Sequence, residues 1–289
     1  MVGAGVSAST ADISSGAAWS RGRLRAILCA VVAFTVVVLV GLGYAVHLAV
    51  AGVGSEGANP GANQAHESSG GSPDSVQVGS ASRRDQIAAE PMLAVPPGAA
   101  LPALDADDRS PTIEIPAATG VTGPAFIMTG FPQSPEGAVG QLAEIDTAVL
   151  QSLSLRTALE VHQAWALPGG AEADEWWITV SLRAFLTSAG IANVGHPRAS
   201  LTAEPAAALV KGVDGPDWAT VCVLLEVSAS YQQDGRTAFA HCERMQWVGG
   251  RWMLAPGAPP AEAPATWPGT RLALAAGWHT WVTEADESR

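Results

Sequence analysis

The sequence predicts an α+β fold in which a single N-terminal transmembrane helix and a disordered linker precede a domain of three helices packed on a four-stranded antiparallel sheet plus a C-terminal helix. Three observations predict it: an uncharged apolar run, a Gly-, Pro- and Ser-rich stretch after it, and helical periodicity that changes to strand-like segments after Pro197. The predicted regions are a cytoplasmic tail (1–25), a transmembrane helix (26–53), a linker (54–125) and an extracytoplasmic domain (126–289).

The apolar run at 26–53 is long enough to span a bilayer. At about 1.5 Å per residue it forms roughly 42 Å of helix, which exceeds the ~30 Å hydrocarbon core. Arg21, Arg23 and Arg25 precede it, whereas the next basic residue is Arg83, so we expect a single-pass protein of the cell membrane with its N-terminus in the cytoplasm. The alternative is a cleaved signal peptide, for which residues 49–51 resemble a cleavage site.

The predicted linker is dominated by Gly, Pro, Ser, Asn and Ala and has no sustained period of 2 or 3.6. Such a stretch buries too little apolar surface to offset its ordering entropy. We therefore expect a disordered spacer over residues 54–125.

Helix signals open the outer domain. Ser134 is a good N-cap, Pro135 suits the first helical position, and apolar residues recur at helical spacing up to Val149. A second helix is predicted at Leu155–Ala166 and a third from Asp174 to Gly190.

Strand signals follow these helices. The Asp234-Gly235 and Gly249-Gly250 pairs predict hairpin turns, so the strands form an antiparallel meander. The predicted strands are 207–213, 219–231, 237–248 and 251–255, and the predicted closing helix is 270–282.

Three strings carry a resemblance: GFPQSPEGAVGQLAEIDTAVLQSLSL, AWALPGG and HCERMQWVGGRWMLAPG. They resemble uncharacterised membrane proteins of actinobacterial integrative conjugative elements over residues 130–282. The order of helices and strands resembles the nuclear-transport-factor-2-like cone fold, and the layout is similar to the bitopic assembly component of type IV secretion systems. The resemblance implies a membrane-anchored assembly or scaffolding component of a conjugative transfer apparatus. Its partners would be the bilayer, through residues 26–53, and envelope or transfer-apparatus proteins, including further copies of itself.

The search for catalytic motifs is negative. The sequence has no HExxH, no P-loop, no nucleophile elbow and no paired CxxC, so we expect no catalytic residue, no metal and no cofactor. From Pro116 onward there are 17 acidic and 9 basic residues, which excludes a basic surface for nucleic acid. The expected protein is therefore not an enzyme and does not bind nucleic acid.

An alternative function rests on Glu226, His241 and Glu243. Cone-fold enzymes usually place a carboxylate or a histidine inside the cone, and a tight Asp234-Gly235 turn would pair Glu226 with Glu243 on one face of the hairpin. Two close carboxylates can share a proton, so the three residues are the candidate polar centre of a membrane-tethered ligand-binding or enzymatic domain. A solvated face or a shifted register would remove this centre.

Cys222 and Cys242 are a disulfide candidate, because they lie on consecutive strands of a domain expected outside the cell. Register is the difficulty, since a tight Asp234-Gly235 turn places the two cysteines on opposite faces. One bulge or a longer loop near Gln232 restores a common face. Two buried thiols remain the alternative.

Overall fold

A computed structural model of the chain describes residues 83–105, 109–191, 198–231 and 233–283. No helix within these residues is long and apolar enough to cross a membrane, and the predicted span at 26–53 lies outside them. Residues 83–89 are helical, and the α-helices that follow are α1 (Pro135–Ser152), α2 (Leu155–Trp165), α3 (Trp177–Ala189) and α4 (Arg271–Ala275). The strands are β1 (Thr112–Glu114), β2 (Val121–Thr122), β3 (Met128–Thr129), β4 (Ser200–Val213), β5 (Trp218–Ser230), β6 (Asp234–Val248), β7 (Arg251–Leu254) and β8 (His279–Val282).

Local signals set the ends of the helices. The Ser134 hydroxyl accepts a hydrogen bond from the backbone N–H of Gly137 at 3.0 Å and starts α1. The Ser154 hydroxyl does the same for Thr157 at the start of α2. Helix α3 begins at Trp177, three residues after its predicted start at Asp174. The carbonyl of Glu172 accepts hydrogen bonds from the backbone N–H groups of residues 175 and 176 and closes a separate turn before the helix.

The main sheet has six strands in the order β1-β8-β4-β5-β6-β7, so the prediction of a four-stranded sheet with a closing helix is wrong. The predicted helix at 270–282 divides into α4 and β8, because Gly277 takes a left-handed conformation (φ 88°) that stops the helix. Strand β8 then pairs antiparallel with β4 and parallel with β1. The extra strands therefore come from segments whose composition suggested a helix and a linker.

The β5–β6 register differs from the predicted one. Cys222 lies opposite Cys242, and the pairing continues to Ser230 opposite Asp234. The hairpin loop is therefore the three residues 231–233, and Asp234-Gly235 belongs to β6. The observed register is shifted from the predicted one by an odd number of residues, which moves side chains to the other face of the sheet.

The two faces of the sheet carry different layers. Helices α1 to α3 cover one side, which we call the helix face, with Val221, Val223 and Leu225 of β5 in its core. The other side, the strap face, carries Cys222 and Leu224 and is covered by an N-terminal strap (residues 83–105) and a C-terminal strap (residues 255–270).

The N-terminal strap corrects the predicted linker. Its residues, and residues 109–125, were expected to be disordered, yet Met92 packs in the strap-face core and Lys211 donates hydrogen bonds to the carbonyls of Ala88 and Glu90. Composition alone missed this, because the groups that hold the strap lie more than a hundred residues away along the chain.

Candidate functional site

The structure separates Glu226 from the other two residues of the predicted polar centre. Glu226 lies opposite Ala238 in the sheet and its side chain is on the strap face, where it forms an ion pair with Arg236. His241 and Glu243 lie on the helix face, opposite Val223 and Val221. The shifted register is the cause, since it changes the side of the sheet to which a residue contributes.

His241 and Glu243 meet a third ionisable group that the sequence analysis did not select. Asp146 of α1 is fully buried, and both its carboxylate oxygens lie 3.0 Å from Nδ1 of His241. On the other side of the ring, Nε2 lies 3.2 Å from Oε1 of Glu243, in a charge contact whose angles do not meet those of a hydrogen bond. The imidazole is 2% exposed and stands between two carboxylates.

Its surroundings keep this histidine protonated. Burial alone would lower the pKa of His241, but the charge and hydrogen bond of Asp146, together with Glu243, outweigh it and raise the pKa to about 10. Burial raises the pKa of the Asp146 carboxyl, against the opposing effect of His241. Asp146, His241 and Glu243, which we call the charged cluster, thus hold a proton at neutral pH.

A tryptophan fixes the outer end of the charged cluster. The indole N–H of Trp176, the residue before α3, donates a hydrogen bond of 2.8 Å to Oε1 of Glu243. The ring of His162, from α2, packs on that indole with ring centres 5.3 Å apart. Burial lowers the pKa of His162, which favours its neutral form. Two helices and one strand therefore position the carboxylate of Glu243.

A pocket of about 170 Å³ opens beside Glu243. Its walls come from the α2–α3 connection, from residues 241–244 of β6, and from residues 254–263. Strand β7 pairs with β6 only over residues 245–248, so the pocket lies where the β6 edge extends past its neighbour. This position brings side chains from both faces of the sheet to one cavity.

The polar groups of the pocket differ in accessibility. Nε2 of His241 and Nε of Arg244 are shielded from solvent and have no hydrogen-bond partner within the described part of the chain. Glu243 is 14% exposed, and its Oε2 has no partner among the residues that the structure describes. Glu175 and Glu262 are exposed at the pocket rim. The accessible charged atoms are therefore mainly carboxylate oxygens.

Metal binding has no support in this arrangement. Within the described ranges, no group of three or more His, Cys, Asp and Glu side chains is placed to hold a metal ion. The protonated His241 also has no lone pair to offer.

The structure joins Cys222 and Cys242 in a disulfide on the strap face. Sγ of Cys242 contacts Sδ of Met92 from the N-terminal strap at 3.6 Å. Cys242 is also one of the residues that line the pocket, so the disulfide lies directly behind its polar wall.

One sequence signal could have found Asp146. It falls between Ile145 and Val149 on the apolar side of the predicted first helix, and a carboxylate in such a position needs a buried partner. No comparable signal indicates Trp176, because its contact depends on how α3 packs against β6. No model of a known protein family matches the chain, and no curated protein shows significant sequence similarity to it.

Proposed function

We propose that the domain binds a small organic molecule in the pocket beside Glu243. The observation that carries the proposal is a carboxylate held by a buried histidine and a tryptophan at the wall of a cavity, with one oxygen that none of the described residues contacts as a partner. Binding sites in proteins combine apolar walls with a few well-positioned polar groups. The charged cluster and the pocket together have this composition.

The size of the cavity limits the ligand. An apolar cavity of about 150 Å³ accommodates benzene. The pocket of about 170 Å³ therefore suits a molecule with a single ring or a short branched chain. Larger ligands would require the C-terminal strap to move.

Binding is favoured over acid–base catalysis. A general base works best when its pKa is near the working pH, whereas the pKa of His241 is raised to about 10. Nε2 of His241 is also shielded, so a substrate in the pocket does not reach it. The role of His241 is to position its two carboxylate neighbours and to offset part of their negative charge.

The resemblance of the sequence implied a different role, assembly of a conjugative transfer apparatus at the cell membrane. That role, the extracytoplasmic location and the envelope partners stay predictions.

The proposal is tested by NMR on the full-length chain labelled with ¹⁵N-tryptophan. Benzyl alcohol, benzylammonium and benzoate are added in turn as ring-sized probes, and at least one is expected to shift the indole N–H signal of Trp176. The Trp176→Phe variant assigns that signal. Trp278 is the internal control, because its indole donates to the carbonyl of Pro264 on the strap face.

A matched pair of variants tests whether the shift reports the pocket. Ala171 lines the cavity and Ala173 does not, although both are half-buried in the same loop. Ala171→Phe is expected to abolish the shift, and Ala173→Phe to preserve it. If no probe shifts the Trp176 signal, or if all shift Trp278 equally, the proposal is wrong.

A further inference from the structure

We infer that the ligand of this pocket is an organic cation, a protonated amine attached to a small apolar group. The inference rests on the proposed binding function and adds the chemical class of the ligand. Three features of the pocket support it: the negative sign of the charges that a ligand can reach, the Glu243 oxygen that has no partner among the described residues, and the aromatic and apolar side chains of the walls.

The reachable charges are negative. Glu175, Glu243 and Glu262 all line the pocket. Arg244 lines it too, but its guanidinium is 4% exposed and Nη1 already donates to Asp85 of the N-terminal strap at 2.7 Å. An anionic ligand would therefore meet three carboxylates, and none of the described residues offers it a free cationic group at the surface of the cavity.

Glu243 is the group that selects a donor. Its Oε1 accepts from the Trp176 indole and contacts His241, whereas its Oε2 has no partner among the described residues. Because this oxygen is accessible from the pocket, a ligand can donate to it, and a charged N–H group makes a stronger hydrogen bond to a carboxylate than a neutral one. His241 strengthens this selection by fixing the carboxylate in place.

The walls suit the rest of such a ligand. Trp177 lines the pocket with 44% of its surface exposed, and the face of an indole attracts a cation. Leu167, Leu254 and Pro259 add apolar surface. A molecule with an ammonium group at Glu243 and a hydrocarbon ring against these side chains satisfies both parts of the pocket.

The test compares the three ring-sized probes by calorimetry on the full-length protein at pH 7. Benzylammonium, benzyl alcohol and benzoate share the ring and differ in charge. Benzylammonium is expected to bind about tenfold or more tightly than benzyl alcohol, because its ammonium adds the attraction of opposite charges to the hydrogen bond that a hydroxyl can also donate to Glu243. Benzoate is expected to bind most weakly.

Two glutamates on neighbouring strands provide the matched control. Glu243→Gln should reduce the affinity for benzylammonium to within about threefold of that for benzyl alcohol, because the exposed Glu175 and Glu262 still attract the ammonium weakly. Glu226→Gln, the same substitution on the strap face, should leave both affinities unchanged. Melting curves recorded in parallel establish that each variant is folded.

The double variant Glu175→Gln/Glu262→Gln decides the matter if Glu243→Gln does not fold, because both side chains are exposed. This double variant should lower the affinity for benzylammonium about threefold, because exposed charges interact weakly, and should leave the affinity for benzyl alcohol unchanged. Equal affinities for the charged and neutral probes, or tighter binding of benzoate, would overturn the cation inference and leave the binding function standing. Failure of all three probes to bind would overturn both.

Discussion

The two faces of the central sheet solve the burial of polar groups in opposite ways. The helix face buries Asp146 and His241 and pairs the carboxylate of Asp146 with Nδ1 of His241. The strap face has a core of mainly small apolar residues and a disulfide, and its charged pairs reach solvent on at least one side: Glu226–Arg236 lies at the surface, and the buried Arg244 pairs with Asp85, whose side chain is 61% exposed. A buried charge needs its partner far more than an exposed one does.

This difference distinguishes the candidate binding site on the helix face from the structural contacts on the strap face. Glu226 and Glu243 are the same residue type on neighbouring strands. Glu226 forms an ion pair at the surface, whereas the carboxylate of Glu243 is held by its contacts with Trp176 and His241 at the wall of the pocket. The N-terminal strap is held by contacts at its edges, including Arg84 to Asp214 at 2.7 Å. Charged residues therefore position the carboxylate of Glu243 at the pocket on the helix face, whereas on the strap face they attach the N-terminal strap to the sheet.

The largest expected effect comes from breaking the charged cluster. Asp146→Ala leaves His241 buried with only Glu243 as a charged partner, and removing one member of a buried pair costs about 3–5 kcal/mol of unfolding free energy. Glu226→Ala is the matched substitution on the strap face and should cost at most about 1 kcal/mol. Urea denaturation of the full-length variants measures both.

Equal losses in the two variants would contradict the contrast between the faces. A stable Asp146→Ala protein would show that His241 releases its proton and is accommodated as a neutral ring. That result would also remove the support that His241 gives to Glu243.

Much of the helix face could be predicted from short-range signals, and the strap face could not. Ser134 and Ser154 cap their helices because a hydroxyl satisfies orphan N–H groups within three residues of sequence. The straps depend on contacts such as Arg244 to Asp85, which are 159 residues apart. No periodicity in the strap itself encodes such a contact.

The candidate site shows the same limit. His241 and Glu243 could be selected because they alternate on one predicted strand, but their relation to Glu226 depended on the loop at residues 231–233. The Asp234-Gly235 pair is typical of a two-residue hairpin turn, but in the structure it lies at the start of β6. The predicted register of β5 and β6 differs from the observed one by an odd number of residues. This difference placed Glu226 on the wrong face of the sheet, so the predicted polar centre contained Glu226 and not Asp146.

The next effect in size concerns the disulfide on the strap face. Cys222 and Cys242 are separated by 20 residues, and closing a loop of this length stabilises a fold by roughly 3 kcal/mol in the chain-entropy model. Reductant, or the Cys222→Ala/Cys242→Ala double variant, should lower the unfolding free energy by this amount in urea.

Mass spectrometry after alkylation gives the matching check on bonding. The chain has three cysteines, so unreduced denatured protein should take up one alkyl group, at Cys29, and reduced protein three. Three groups without reductant would exclude the bond. The reductant should then have no effect on stability.

The smallest expected effect is a dependence of stability on alkaline pH that originates in the helix face alone. The pKa of His241 is raised to about 10 in the folded protein, against an ordinary value of 6.5. Between these values the folded state holds a proton that the unfolded state has released, so stability is fully present below about pH 6.5 and falls as pH rises towards 10.

One proton gives a slope of at most about 1.4 kcal/mol per pH unit, so urea midpoints measured from pH 7 to pH 9 should fall steadily for the native chain. His241→Gln has no imidazole to titrate and should give a flatter profile, even though it is less stable at pH 7. Arg236→Gln, which removes an exposed charge from the strap face, should keep the native slope. Parallel profiles for the native chain and His241→Gln would show that the charged cluster does not hold the proton, because the slope would then come from groups that both proteins share.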